Sequence, residues 1–115
     1  MTAFDAIKHE ETAVAIFTRG GRFDHKPDGT GSTGNWVITA NLNVDKIIIY
    51  KQDTLYGQHE VWTGRPLAVI DSEEEGRRVV KMRNVEQIGT TNKNWNEFTG
   101  TKKGAINPVK YIKYK

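Results

Sequence analysis

Three histidines, His9, His25 and His59, are the side chains of this chain whose ordinary titration range spans neutral pH. No two of them have the H-x-H or H-x-x-x-H spacing that puts a pair of imidazoles on one face of a strand or helix. Asp24-His25 and His59-Glu60 are adjacent pairs, and neighbours on a strand point to opposite faces. The nuclease pattern of an aspartate followed by carboxylate-x-lysine on the next strand is missing, since Glu60-Val61-Trp62 and Glu86-Gln87-Ile88 both lack the lysine. Ser32 and Ser72 are the only serines, and neither lies in a nucleophile elbow. With no cysteine, thiol nucleophiles, thiolate metal sites and disulfides are excluded. No catalytic residue, metal ligand set or cofactor is expected. An enzyme acting on a nucleotide through Asp45, Glu60 or His59 is the least favoured reading.

Ring chemistry is the better lead. Trp36, Tyr50, Trp62 and Trp95 each fall at the edge of a predicted element, beside small or polar neighbours. Such rings, if they converge, stack a planar base or hold a methylated group by cation–π attraction. The alternative is that Trp36 and Trp62 plug the ends of a small barrel. Arg65, just after Trp62-Thr63-Gly64, suits a phosphate or a base edge. Lysine plus arginine outnumber acids 17 to 14, and the excess is uneven. From Thr91 to Lys115 there are six lysines and one acid, Glu97. Lys93, Lys102 and Lys103 in that stretch, with Lys46 earlier, are the expected phosphate contacts; a solubilising tail is the alternative. Gly29-Thr30-Gly31-Ser32-Thr33-Gly34 lacks the Gly-Lys-Thr ending of a P-loop and reads as a mobile loop.

The elements that must position these residues are mostly strands. A short helix is expected within Thr2 to Glu11, then a strand over Thr12 to Thr18. Arg19 to Asn35, rich in glycine and poor in apolar residues, reads as one long loop or a flexible hairpin tip. Strands follow at Trp36 to Leu42 and Lys46 to Tyr50, and a turn over Gln52 to His59. Glu60 to Thr63 and Leu67 to Asp71 read as two short strands broken by Gly64-Arg65-Pro66. An acidic turn, Asp71 to Gly76, precedes a long strand or strand pair over Arg77 to Ile88. Asn94 to Phe98 predicts a helical turn. Pro108 to Tyr114 predicts an edge strand with Lys110 on its exposed side. The 115 residues make one domain, mainly β within an α+β class: a small barrel with short flanking helices. Met1 to Glu11 carries no apolar leader-like core and no apolar run spans a membrane; the absence of cysteine fits a reducing compartment, and a cytoplasmic location is expected.

Asn35-Trp36-Val37-Ile38, Val44-Asp45-Lys46-Ile47-Ile48-Ile49-Tyr50, Glu60-Val61-Trp62-Thr63-Gly64 and Trp95-Asn96-Glu97-Phe98, in that order, resemble the PUA-like superfamily of EVE, ASCH and YTH domains. The resemblance covers about residues 34 to 98. It implies a small PUA-like β-barrel reading a nucleic-acid base, often a modified one, in an aromatic pocket. The Gly-rich stretch 19–35 has no counterpart in that pattern. The resulting expectation is a noncatalytic module that binds nucleic acid or a nucleotide. Trp36, Tyr50, Trp62 and Trp95 would stack the base, and Arg65, Lys46 and the C-terminal lysines would meet phosphate. The alternative is a small protein–protein inhibitor or accessory subunit that uses the same aromatics as interface anchors.

Overall fold

The computed structural model describes residues 1–53, 57–101 and 107–113. Its strands are β1 (Thr12–Thr18), β2 (Phe23–His25), β3 (Gly31–Trp36), β4 (Lys46–Lys51), β5 (His59–Asp71), β6 (Arg78–Thr91) and β7 (Val109–Lys113). A 3-10 turn, Ala3–Ala6, precedes them, and one short helix, α1 (Trp95–Thr99), lies between β6 and β7. The strands form one sheet in the order β2-β3-β6-β5-β4-β1-β7, antiparallel except for the β1–β4 pair. The mainly β class is as the sequence predicts; the closed barrel is not. β2 and β7 stand at opposite edges of an open sheet, and β2 spans only three residues.

The sheet nevertheless curls. β5 and β6 run 13 and 14 residues, and their ladder slips register between Val61 and Trp62, Thr63 and Arg65, and Pro66 and Ala68. Each slip is a bulge that bends the strand and raises its twist. The Gly64-Arg65-Pro66 stretch therefore bends one continuous strand rather than separating two. The curl carries Phe23 and Trp36 over the sheet centre, where they join Val14, Ile16, Ile47, Ile49, Val80, Met82 and Val109 in one core.

A second core covers the opposite face. Ala13, Ala15, Ile48, Tyr50, Val61 and Ile112 meet Ala3, Ala6 and Ile7 of the N-terminal segment and Phe98 of α1. β1 and β4 are thus buried on both sides, which is why both read as continuous apolar runs rather than alternating ones. Small Ala13 and Ala15 face the helical layer and let it approach closely. Gly100, at φ +69°, ends α1 where a Cβ would lie 2.9 Å from the Phe4 ring. Glycine is needed there twice over, for the left-handed backbone and for the space.

Three further expectations change. The stretch Arg19 to Asn35 is a hairpin rather than one long loop, because β2 and most of β3 pair antiparallel within it. The register sets Phe23 opposite Thr33, both buried. Trp36 ends β3, and residues 37–45 cross to β4 without strand structure. On β7 two positions reverse the expectation, Lys110 being buried and Tyr111 exposed, whereas Val109 and Ile112 are buried and Lys113 exposed as expected. Among the described residues no helix is long and apolar enough to cross a membrane.

Candidate functional site

β1 and β4 each end their apolar run on an aromatic, and the parallel register sets Phe17 beside Tyr50. Their rings stack at 5.6 Å with planes 20° apart. Helix α1 then delivers Trp95 edge-on to both, 5.7 Å from Phe17 and 5.5 Å from Tyr50. His59, at the start of β5, brings its ring to 5.0 Å from Tyr50. These four, with Arg19, Gln52, Asn94 and Asn96, line an open notch of about 380 Å³. That volume suits a single planar ring system. Phe17, His59 and Trp95 keep part of their surfaces exposed, whereas Tyr50 forms the floor at 1 % exposure.

The notch is held from beneath. Asn94 caps α1, its Oδ1 accepting from the Glu97 N–H at 2.9 Å, and the Glu97 carboxylate accepts from the Asn94 N–H at 3.4 Å. Trp95 donates its indole N–H to the Asn107 carbonyl at 2.9 Å and stacks on Phe98 at 6.3 Å. The Lys110 ammonium lies 5.3 Å from the Trp95 ring centre, within cation–π range. It donates to Asn96 Oδ1 at 2.9 Å and to the Thr101 hydroxyl at 2.5 Å. Burial holds its pKa below the ordinary lysine value. On the rim the Arg19 guanidinium sits 5.9 Å over Phe17.

The Tyr50 hydroxyl donates to the Lys93 carbonyl at 2.8 Å. Burial, with a smaller contribution from the Glu97 carboxylate, pushes the phenol up to about 12 from an ordinary 10.0. The folded chain therefore keeps this proton where the unfolded chain loses it. The associated stability is complete below pH 10 and is lost as pH rises from 10 towards 12. Urea midpoints across that interval should fall more steeply for the native chain than for Tyr50→Phe. Parallel slopes would contradict a buried phenol.

Of the four rings expected to converge, the fold joins two. Tyr50 and Trp95 meet in the notch, whereas Trp36 and Trp62 belong to the opposite face. Trp36 is 6 % exposed, donates its indole N–H to the Thr33 hydroxyl at 2.8 Å and carries the Arg22 guanidinium 5.5 Å away. Trp62 donates to Glu60 at 2.9 Å and packs on Phe23 and the exposed His25 ring, at 5.4 and 4.4 Å. Arg65 and Lys46 do share a depression, about 440 Å³ and also lined by Asp5, Thr63 and Glu86, but it holds none of the four rings. There Lys46 is engaged by Glu11 at 3.2 Å and the Ala6 carbonyl at 3.2 Å. Lys93 is exposed next to the notch-lining Asn94; Lys102 and Lys103 lie outside the described residues.

Asp45, Glu60 and His59 are not brought together. Asp45 accepts from the Thr12 backbone N–H at 2.9 Å, tying the starts of β1 and β4; Glu60 faces Trp62 and Lys51; His59 faces the notch. Among the described residues no three His, Asp or Glu side chains are grouped to hold a metal ion.

No family model, curated protein or solved structure matches this chain.

The chemistry of the notch therefore rests on its own residues. Phe17, Arg19, Asn94 and Asn96 are not marked as ligand residues by the sequence, and His59 is named there only as a candidate acid–base group. The one available signal was that two apolar strands both end on an aromatic. Its meaning depended on knowing that those strands pair in parallel.

Proposed function

We propose that this chain is a noncatalytic module that binds a nucleobase, plain or modified, within a nucleotide or nucleic acid. The observation that carries the reading is the notch itself, with partly exposed Phe17 and Trp95 faces, His59 beside them and the Arg19 cation on the rim. Flat rings beside a guanidinium match what a base and its phosphate offer together. A PUA-like relationship belongs to the same reading, supported by a curled, mainly β sheet with short flanking helices and opposed by the open strand order. A cytoplasmic location also belongs to it, on the cysteine-free composition alone.

Tryptophan fluorescence tests the reading, because Trp95 lines the notch. Titration with mononucleotides and short single-stranded and duplex oligonucleotides should give saturable quenching. Oligonucleotide binding should weaken as salt rises, since phosphate contacts release counterions. A flat response to every ligand would refute a base reader. It would favour the second reading, a small inhibitor or accessory subunit, which rests on the exposed Val37, Leu67, Ile70 and Tyr111 side chains.

A further inference from the structure

The polar rim of the notch is not balanced between donors and acceptors. Asn96 Oδ1 is filled by two donors, the Lys110 ammonium at 2.9 Å and the Thr101 hydroxyl at 3.3 Å. Asn94 Oδ1 is turned to the backbone of α1, where it accepts from the Glu97 N–H at 2.9 Å. His59 Nδ1 accepts the Asp53 backbone N–H at 3.0 Å. A neutral imidazole with Nδ1 accepting carries its proton on Nε2. The fold has thus filled the acceptors of Asn96 Oδ1 and His59 Nδ1 and engaged one lone pair of Asn94 Oδ1. Among the described lining side chains, the Asn94 and Asn96 amide nitrogens, His59 Nε2–H and the Arg19 guanidinium are left to donate. The acceptors left are Gln52 Oε1, the second lone pair of Asn94 Oδ1 and the buried Tyr50 hydroxyl oxygen, so donors predominate on the rim.

We infer that the notch selects a planar ring whose accessible edge carries carbonyl acceptors, a keto base of the uracil or hypoxanthine type. Amino bases such as cytosine and adenine are disfavoured. This rests on the base-binding reading above and names the ligand class within it. The physical reason is the cost of facing N–H against N–H. A keto oxygen accepts from the rim, whereas an exocyclic amino group leaves donors on both sides unpaired as water is squeezed out.

Uridine with cytidine, and inosine with adenosine, are matched pairs for the test. Members of each pair share ring size and stacking surface. An oxygen replaces the amino group, and the adjacent ring nitrogen changes from acceptor to N–H donor. The edge that a donor rim discriminates is therefore the one with O4 of uracil or with O6 and N7 of hypoxanthine. As nucleosides they carry no phosphate. The keto member of each pair should bind at least about fivefold more tightly, the lower end of the discrimination a good base-edge contact gives.

The double variant N94D/N96D then reverses the rim without removing the fold's own acceptors. Aspartate still caps α1, and at position 96 it still accepts from Lys110. Its thermal midpoint should equal or exceed that of the native chain, and its keto preference should vanish or invert. Equal affinity of the native chain for all four nucleosides would overturn the inference while leaving ring stacking intact. Failure of all four to bind would overturn it together with the base-binding reading. A keto preference that survives in N94D/N96D would overturn the assignment to the two amides.

Discussion

Trp36→Ala is expected to lower folding stability by about 3–5 kcal/mol, the usual cost of deleting a large core aromatic. Ligand binding at the notch should be unchanged. The ring closes the core formed where β2 and β3 curl over the sheet centre, beside Val14, Ile16, Val80 and Met82. It is also bonded into that core. Its indole N–H donates to the Thr33 hydroxyl at 2.8 Å, and that hydroxyl donates to the Arg22 carbonyl at 2.6 Å. Removing the ring therefore leaves a cavity and takes away the donor to the buried Thr33 hydroxyl. Domains of this size have about 5–15 kcal/mol in total, so the loss takes about a fifth of the margin or more. Urea denaturation measures it. A change below about 1 kcal/mol would show that the ring is not a core element. If the alanine variant does not fold, Trp36→Phe keeps most of the volume and isolates the indole bond, at about 1–2 kcal/mol.

Trp95→Leu should behave in the opposite way. Leucine keeps apolar cover over Phe98 but has no flat face, so the loss falls on binding rather than on the core. Base stacking on an aromatic contributes about 1–3 kcal/mol, so affinity should fall between about 5-fold and 150-fold. Calorimetry with uridine monophosphate and inosine monophosphate is the suitable measurement, because the substitution removes a fluorophore. An unchanged dissociation constant in Trp95→Leu, paired with lost binding in a folded Trp36→Phe, would move the site to the other face of the sheet. The two variants thus separate the structural tryptophan from the ligand-facing one, which their sequence contexts do not.

That separation marks where local sequence stops being informative. Trp36 and Trp95 are both preceded by asparagine, and both stand at the edge of an element. One is 6 % exposed and the other partly open, because β3 curls into the sheet's concave side while α1 rides on its opposite face. Lys110 carries the same lesson. It lies among lysines that pattern as a solvated tail, yet β7 pairs with β1 in a register that turns it inward under Trp95. Burying an ammonium needs acceptors, and Asn96, Thr99 and Thr101 supply them from the segment that includes α1. No spacing rule links those positions to a lysine on a strand nine or more residues later.

The chain's own pattern did determine a good deal. The run Thr12 to Thr18 and the run Lys46 to Tyr50 are strands because uninterrupted β-branched and apolar residues can be satisfied only by burial on both faces. Asn94, followed three residues later by Glu97, specified a capped helical turn, since that pair closes two orphan backbone donors locally. Asp71 to Gly76 specified the turn between β5 and β6 for the same local reason. Tertiary structure alone decided that β1 and β4 run parallel, that the sheet stays open, and that Phe17, Tyr50, His59 and Trp95 share one notch. Caps, turns and burial periodicity are settled by neighbours within a few residues. The meeting of rings from β1, β4, β5 and α1 is settled by pairing and packing across the whole chain.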